Sequence, residues 1–425
     1  MNTTIYQPEW ETMSQDALAL LQLARLKKTL SHAISNCQFH RERFQEAQIQ
    51  PGDLTSLDDL KRLPSMGKED IRQAYPTALL CESPTLLREM HMSSGSTGSP
   101  IAMLYTQGDL DQWAVCMARC YSMAGGRPSD PVQITPSFGL FNGGFGMYHG
   151  ARALGLLVIP TGAGNTARQI KLARDFGTKI LTGVVSYGIR IMEELQALGG
   201  TLPQLTYGIF GAEAFSENMK NQLEKGLNIE AFNIYGMTET GGVGTLGQDC
   251  PDHSGIHVWE DHYLVEVCDR ESGERLPDGK EGELYVTSLT RSAMPVIRFR
   301  TGDLTRVLSR QRCACGRTHI RIAPIIGRVD DMLIVKGINF FPTQVEQALM
   351  EIPGVKPNYQ IIIEERQGVK DVRINVEAES TVTGFTVAKH LKERLGFSPK
   401  GDVFTPGSLP RQEGKATRVF YKILD

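Results

Sequence analysis

The chain is 425 residues long, too many for a single hydrophobic core, so two or more domains are expected. With 41% hydrophobic and 22% charged residues it has the make-up of a globular protein, and a net charge of −3 leaves no basic excess to attract nucleic acid. No apolar run approaches the roughly 20 residues that span a bilayer, and the N-terminal "MNTTIYQPEWETMSQDAL" lacks the basic and apolar blocks of a secretory signal. The expectation is a cytoplasmic protein without membrane or nucleic-acid partners.

Residues 14–48 predict a long amphipathic helix, with Ser14 as N-cap and Leu26, Leu30, Ile34 and Cys37 at helical spacing. Two short helices separated by Pro64 complete a helical preface over residues 1–80. From residue 100 to about 235, helical patterns such as "DLDQWAVCMARCYSMAG" alternate with the apolar runs "GLLVIP", "KILTG", "TYGIFGAE" and "IEAFNIYG". "SENMKNQLEKG" reads as a helix ending on Gly226. Alternation of this kind predicts an α/β core with mostly parallel pairing. Over 262–325 the runs "HYLVEVCD", "GELYVTSL", "PVIRFRTGD" and "LTRVLS" predict an antiparallel sheet or small barrel. After "GRVDD", Gly327–Asp331, a strand–helix–strand–strand–helix pattern predicts a compact α+β tail, so the domain division falls near residue 327.

Five stretches carry chemistry. "SSGSTGSP" combines glycines, whose backbone N–H groups can converge on an anion, with hydroxyl donors. A polar surface turn has the same composition. In "NIYGMTETGG", Tyr235 is suited to stack on a base, Thr238 to bond a phosphate oxygen, and Glu239 to bind Mg²⁺ as a hard oxygen ligand. Asp303 in "RFRTGDL" follows a strand and is placed to accept ribose hydroxyls. "GRVDDMLIVKGINFFPTQVE" and the C-terminal "SLPRQEGKATRVFYKILD", with Lys415, complete the set.

The order and spacing of these motifs resemble the adenylate-forming superfamily, and within it the phenylacetate–coenzyme A ligase family. The resemblance runs from about residue 10 to 425 and includes "LPSMGKEDIRQAYP", "FGLFNGGFGMYHGA", "FGAEAFS", "WEDHYLVEV", "MPVIRFRTGDLT" and "PRQEGKATRV". It implies a large adenylation domain of mixed sheets flanked by helices. The core would span 81–327, with a β-rich subdomain at about 245–325. A small mobile α+β domain would cover 328–425. It also implies a reaction in which a small aromatic carboxylic acid attacks Mg·ATP to give an acyl-adenylate and pyrophosphate. Coenzyme A then displaces AMP.

By the same resemblance Lys415 is the cation for the acid carboxylate and α-phosphate, while Thr238 and Glu239 serve the phosphate and Mg²⁺. Ser93, Ser94, Gly95, Ser96, Thr97 and Gly98 form the phosphate loop. Asp303 and Arg328 hold the ribose. Tyr235 stacks on adenine, with Asn233 and Gly236 in the same motif and Gly211, Ala212, Glu213 and Ala214 lining the base. Asp330 matches the hinge. The wider superfamily often has a lysine in the phosphate loop where this chain has Ser99 and Pro100. Lys68 is the candidate replacement for the outer phosphates. Phe138, Phe141, Phe145 and Tyr148 are candidates for the acid pocket, with Phe141 foremost and Ala214 and Met237 nearby. Bulky Met147 and Tyr148 would limit substrate length. Family members are often dimers, although no interface is legible. Adenylyltransferases and carrier-protein-loading enzymes share the first half-reaction.

Of the eight cysteines, Cys37, Cys81, Cys116, Cys120 and Cys268 read as isolated buried thiols. "CPDHSGIH" and "CACGRTH" differ. Cys250, His257, Cys313 and Cys315 have the residue types of a tetrahedral structural zinc site, with His253 as the competing fourth ligand. Some members of the family carry cysteines and a histidine in these places. His262 reads as a hydrogen-bonded structural residue.

Overall fold

Ser14 caps the first long helix, its Oγ accepting the Ala17 N–H, and the helix runs over Gln15–Asn36. In this computed structural model, which describes residues 4–93, 101–213, 215–335, 338–366, 369–397, 399–411 and 417–423, the single helix expected over 14–48 breaks at Cys37. Cys37 is extended (φ −122°, ψ 123°), and a second helix, Gln38–Glu46, starts after it. Leu26, Leu30 and Ala33 form the buried face and pack with Phe44, Leu60, Leu63 and Ile297. A 3₁₀ turn at Leu57–Arg62 and the helix Lys68–Gln73 flank Pro64 as expected.

A nine-stranded sheet organises the core. Its parallel half runs in the order Leu157–Ile159, Pro131–Ile134, Ile180–Val184, Tyr207–Gly211, Glu230–Tyr235. The other half continues antiparallel through Gly247–Asp249, Ile256–Val258, Arg321–Ile322 and Val307–Ser309. Helices Gln107–Met123 and Gly143–Leu154 cross closely, because Cβ atoms at Gly146 and Gly150 would collide with Trp113 and Met117. The helix expected to stop at Gly226 continues to Leu227 and is capped by left-handed Asn228. Gly226 instead makes room for Met192, whose Sδ would lie 2.2 Å from an added Cβ.

A separate antiparallel sheet joins Tyr263–Cys268, Gly282–Ser288, Phe299–Thr305 and Gly327–Arg328. The C-terminal part is a four-stranded sheet in the order Lys400–Phe404, Val369–Ala378, Val355–Arg366, Val419–Ile423, backed by helices Pro342–Met350 and Gly384–Leu395. One hydrophobic cluster joins this unit to the large part, with Val345, Leu349 and Ile361 in the same core as Ile191, Phe210 and Leu223. Among the described residues no helix is long and apolar enough to cross a membrane.

Candidate active site

The Glu230–Tyr235 strand delivers the first site residue at the carboxyl end of the parallel half, where open α/β sheets bind ligands. Gly236 follows because nothing larger fits: a Cβ there would stand 2.2 Å from the Gly242 carbonyl oxygen. The Tyr235 hydroxyl donates to Asp303 Oδ2 at 2.6 Å. Arg328, the register partner of Asp303 across the antiparallel sheet, donates from Nη1 to Asp303 Oδ1 at 2.6 Å. Arg328 Nε also bonds Asp330 Oδ1 at 2.9 Å, and Lys68 Nζ lies 3.5 Å from Asp330 Oδ2. The helix start at Lys68, the Glu230–Tyr235 strand, the antiparallel sheet and the turn at Asp330 therefore meet in one chain of polar contacts.

Burial pushes the Asp303 carboxyl upward, and the Arg328 charge, the Tyr235 hydrogen bond and the Lys68 charge pull against it. Glu239, only 4% exposed, is likewise raised by burial and opposed by Lys68 and Arg328. Asp303 and Glu239 thus share one buried cradle with the charges of Lys68 and Arg328.

Thr238 opens the short turn after Gly236, and its Oγ accepts from Asn142 Nδ2 at 2.7 Å. Asn142 Oδ1 in turn accepts the Val243 N–H at 3.2 Å. Sequence reasoning passed over Asn142, although it stands in the "FNGG" run chosen for its aromatics. It also passed over Arg291, which is 3% exposed, has an unpaired buried Nε and lies directly under Gly241. A buried arginine in a polar sequence context carries no local signal of this kind.

The stretch that follows the Tyr207–Gly211 strand is held from behind. Ser186 donates to Glu213 through its N–H at 2.7 Å and its Oγ at 2.9 Å. Gly211 must be glycine, because a Cβ would meet the Ile234 carbonyl oxygen at 2.4 Å, and Ala212 adopts φ 65°. The Asn233 N–H bonds Asp249 Oδ1 at 2.6 Å. Ser93 and Ile101 bond each other through Ser93 N–H to Ile101 O (2.8 Å) and Ile101 N–H to Ser93 Oγ (3.0 Å). Ser94, Gly95, Ser96, Thr97, Gly98, Ala214 and Lys415 lie outside the described residues.

Phe138 meets Phe145 edge-on at 5.5 Å and Tyr148 at 6.3 Å. Phe138, Tyr148 and Met237 pack against the same core. Met147 is buried in that core, and Phe141 is 53% exposed, outside this aromatic group.

The cysteine cluster is a separate set of side chains that borders the same core. Cys250, His257, Cys313 and Cys315 are all buried, with ligand atoms within 4.8 Å of one another. Cys250 Sγ lies 3.7 Å from Cys313 Sγ, and Cys315 Sγ lies 3.5 Å from His257 Nε2. The Cys250 hydrogen bond and the neighbouring His257 hold the Cys315 thiol far below its usual value, against burial. His253 turns elsewhere, to Asp249 at 2.7 Å and Glu230 at 3.5 Å. His262 bonds Thr290 Oγ1 at 2.9 Å.

Residues 19–292 match the AMP-binding enzyme family, and residues 337–422 match the AMP-binding enzyme C-terminal domain. The chain is 38% identical to the phenylacetate-coenzyme A ligase of Thermus thermophilus, over 99% of each chain. It belongs to the phenylacetate–coenzyme A ligase family. As a member of that family it is an AMP-forming acid–CoA ligase. It couples a carboxylic acid to coenzyme A through an acyl-adenylate at the expense of ATP. Its fold is similar to that of 2-hydroxyisobutyryl-CoA ligase in the postadenylation state, with TM-score 0.91 at 26% identity, covering 99% of this chain and 93% of that one. Against the same enzyme in the thioesterification state the TM-score is 0.73 at 27% identity, covering 98% and 92%. The ligase described here is therefore arranged more like the postadenylation form.

Proposed function

We propose that the acid is a small aryl acid of the phenylacetate type. The observation that carries this is the aromatic wall of Phe138, Phe145 and Tyr148 on the same 136–150 segment that sends Asn142 to Thr238. A flat ring held there has its carboxylate directed towards the adenylating turn. Pyrophosphate exchange over a panel of aryl and aliphatic acids, followed by a thioester assay with free coenzyme A, tests it. Exchange strongest with phenylacetate-like acids is expected. Exchange restricted to small aliphatic hydroxy acids would count against the reading.

The described residues suit the nucleotide. Asp303, held by Arg328 and Tyr235, presents a carboxylate for the ribose, and the Thr238 hydroxyl is oriented by Asn142. Glu239 is a buried hard oxygen donor that would hold Mg²⁺, whose charge would offset that of the phosphates. Lys68 acts on the outer phosphates, and its present partner Asp330 is the hinge residue from which the C-terminal unit, residues 328–425, turns. Lys68→Ala is expected to raise the KM for ATP several-fold in initial-rate kinetics, and an unchanged KM would reject the role.

Cys250, His257, Cys313 and Cys315 would hold a structural zinc ion. Thiolates about 2.3 Å from a tetrahedral zinc stand about 3.8 Å apart, and the 3.7 Å separation of Cys250 and Cys313 fits this. The cluster joins two turns and leaves no position open to substrate. All eight cysteines are free thiols, which supports a reducing, cytoplasmic setting.

A further inference from the structure

Cys37 and Cys81 read in the sequence as unrelated buried thiols. Folding brings both beside His40, and the ligand atoms of Cys37, His40 and Cys81 all lie within 4.8 Å of one another. The three residues are 1%, 2% and 3% exposed. They come from two segments: Cys37 is the N-cap of the second helix and His40 lies in its first turn, while Cys81 belongs to the chain after the preface. Cys37 Sγ donates to Ala78 O at 3.2 Å, and the Cys81 N–H donates to Ala293 O at 2.8 Å. His40 Nε2 is fully buried and has no hydrogen-bond partner among the described residues.

We propose that Cys37, His40 and Cys81 form a second metal site in this ligase, a Cys₂His donor set for a thiophilic d¹⁰ cation, zinc(II) or copper(I). Soft thiolates with an imidazole select such ions. Ligand atoms about 2.0–2.3 Å from one ion stand about 4 Å apart, so the triad closes on it by side-chain movements of less than about 1 Å. The site shares no residue with the Cys250 cluster. An ion here ties the second helix to the Cys81 segment, whose N–H bonds Ala293 O at 2.8 Å.

The test is the metal content of the full chain, purified anaerobically and passed over a weak chelator. Wild type is expected to retain one equivalent of zinc or copper more than Cys81→Ala, with the same loss in His40→Phe, and elemental analysis tells the two metals apart. Equal metal content in wild type and both variants overturns the proposal. So does a Cys37–Cys81 disulfide found by peptide mapping of the wild-type protein. If the variants misfold, the wild-type chain decides alone. Cobalt(II) added to the metal-free protein should slow alkylation of Cys37 and Cys81 at least tenfold by peptide-resolved rates. Alkylation at the metal-free rate overturns the assignment. Because the readout is resolved by peptide, it is independent of whether the Cys250 cluster binds zinc.

Discussion

Lys415→Ala is expected to slow acyl-adenylate formation roughly 10²–10³-fold while leaving conversion of a supplied acyl-adenylate to thioester intact. The first half-reaction concentrates negative charge on the α-phosphate, and a cation already neutralised by a carboxylate gives it little. Lys68 is paired with Asp330 at 3.5 Å, and Arg328 with Asp303 at 2.6 Å. Arg291 is almost wholly enclosed beneath Gly241. The family resemblance of "PRQEGKATRV" assigns the missing charge to Lys415. Nearby Arg411, in the described part of the same motif, pairs with Glu193 of the large domain at 3.3 Å and with Glu377 of its own unit at 2.7 Å. That contact supports a C-terminal unit docked for adenylation, in keeping with the higher similarity to a postadenylation structure. Pyrophosphate exchange reports the first step, and single turnover of a synthetic adenylate reports the second. Equal losses in both would make Lys415 a structural residue, and no loss in exchange would remove it from the chemistry.

The elements that were legible are those whose burial leaves a period in the sequence. The strands at 180–184, 207–211 and 230–235 are apolar because helices cover them, and Ser14 announces its helix by its cap. Lys400–Phe404 and Val419–Ile423 went unread because they are sheet edges, with Tyr421 and Ile423 exposed and no alternation to detect. Cys37 breaks a helix whose apolar spacing runs straight through it, because hydrophobic period is blind to a single extended residue. In the site, Asp303, Arg328 and Tyr235 were readable as motif members, yet their mutual hydrogen bonds depend on pairing between distant strands. The Lys68–Asp330 contact spans 262 positions and has no local trace. Cys81 joined Cys37 and His40 for the same reason, since it comes from a segment distant in sequence from that helix start.

If the Cys250 cluster holds zinc as proposed, removing it, or replacing Cys315 with alanine, is expected to lower the melting temperature by roughly 3–6 °C. The scale follows from stripping one partner from a buried charged set, roughly 3–5 kcal/mol, at roughly 1 °C per kcal/mol for a chain of this size. The neighbourhood says what would loosen. Cys313 and Cys315 form a tight turn closed by the Cys313 N–H to Arg317 O bond at 2.9 Å. Arg317 forms a fully buried pair with Glu11 at 2.7 Å, and the Thr318 N–H reaches Glu11 O at 3.1 Å. The cluster thus anchors the turn that holds the N-terminal segment, and that segment should gain hydrogen exchange first when the metal leaves. His257 stands on a strand one removed from the Glu230–Tyr235 neighbour, so its effect on chemistry should be indirect. The turnover number at 25 °C is therefore expected to stay near that of the wild type while the melting temperature falls. Calorimetry with and without chelator checks the first claim, and steady-state kinetics checks the second. A metal-free protein that melts with the wild type would leave these four residues as packed thiols and a histidine. A kcat that falls with metal content would move the cluster from scaffold to catalytic support.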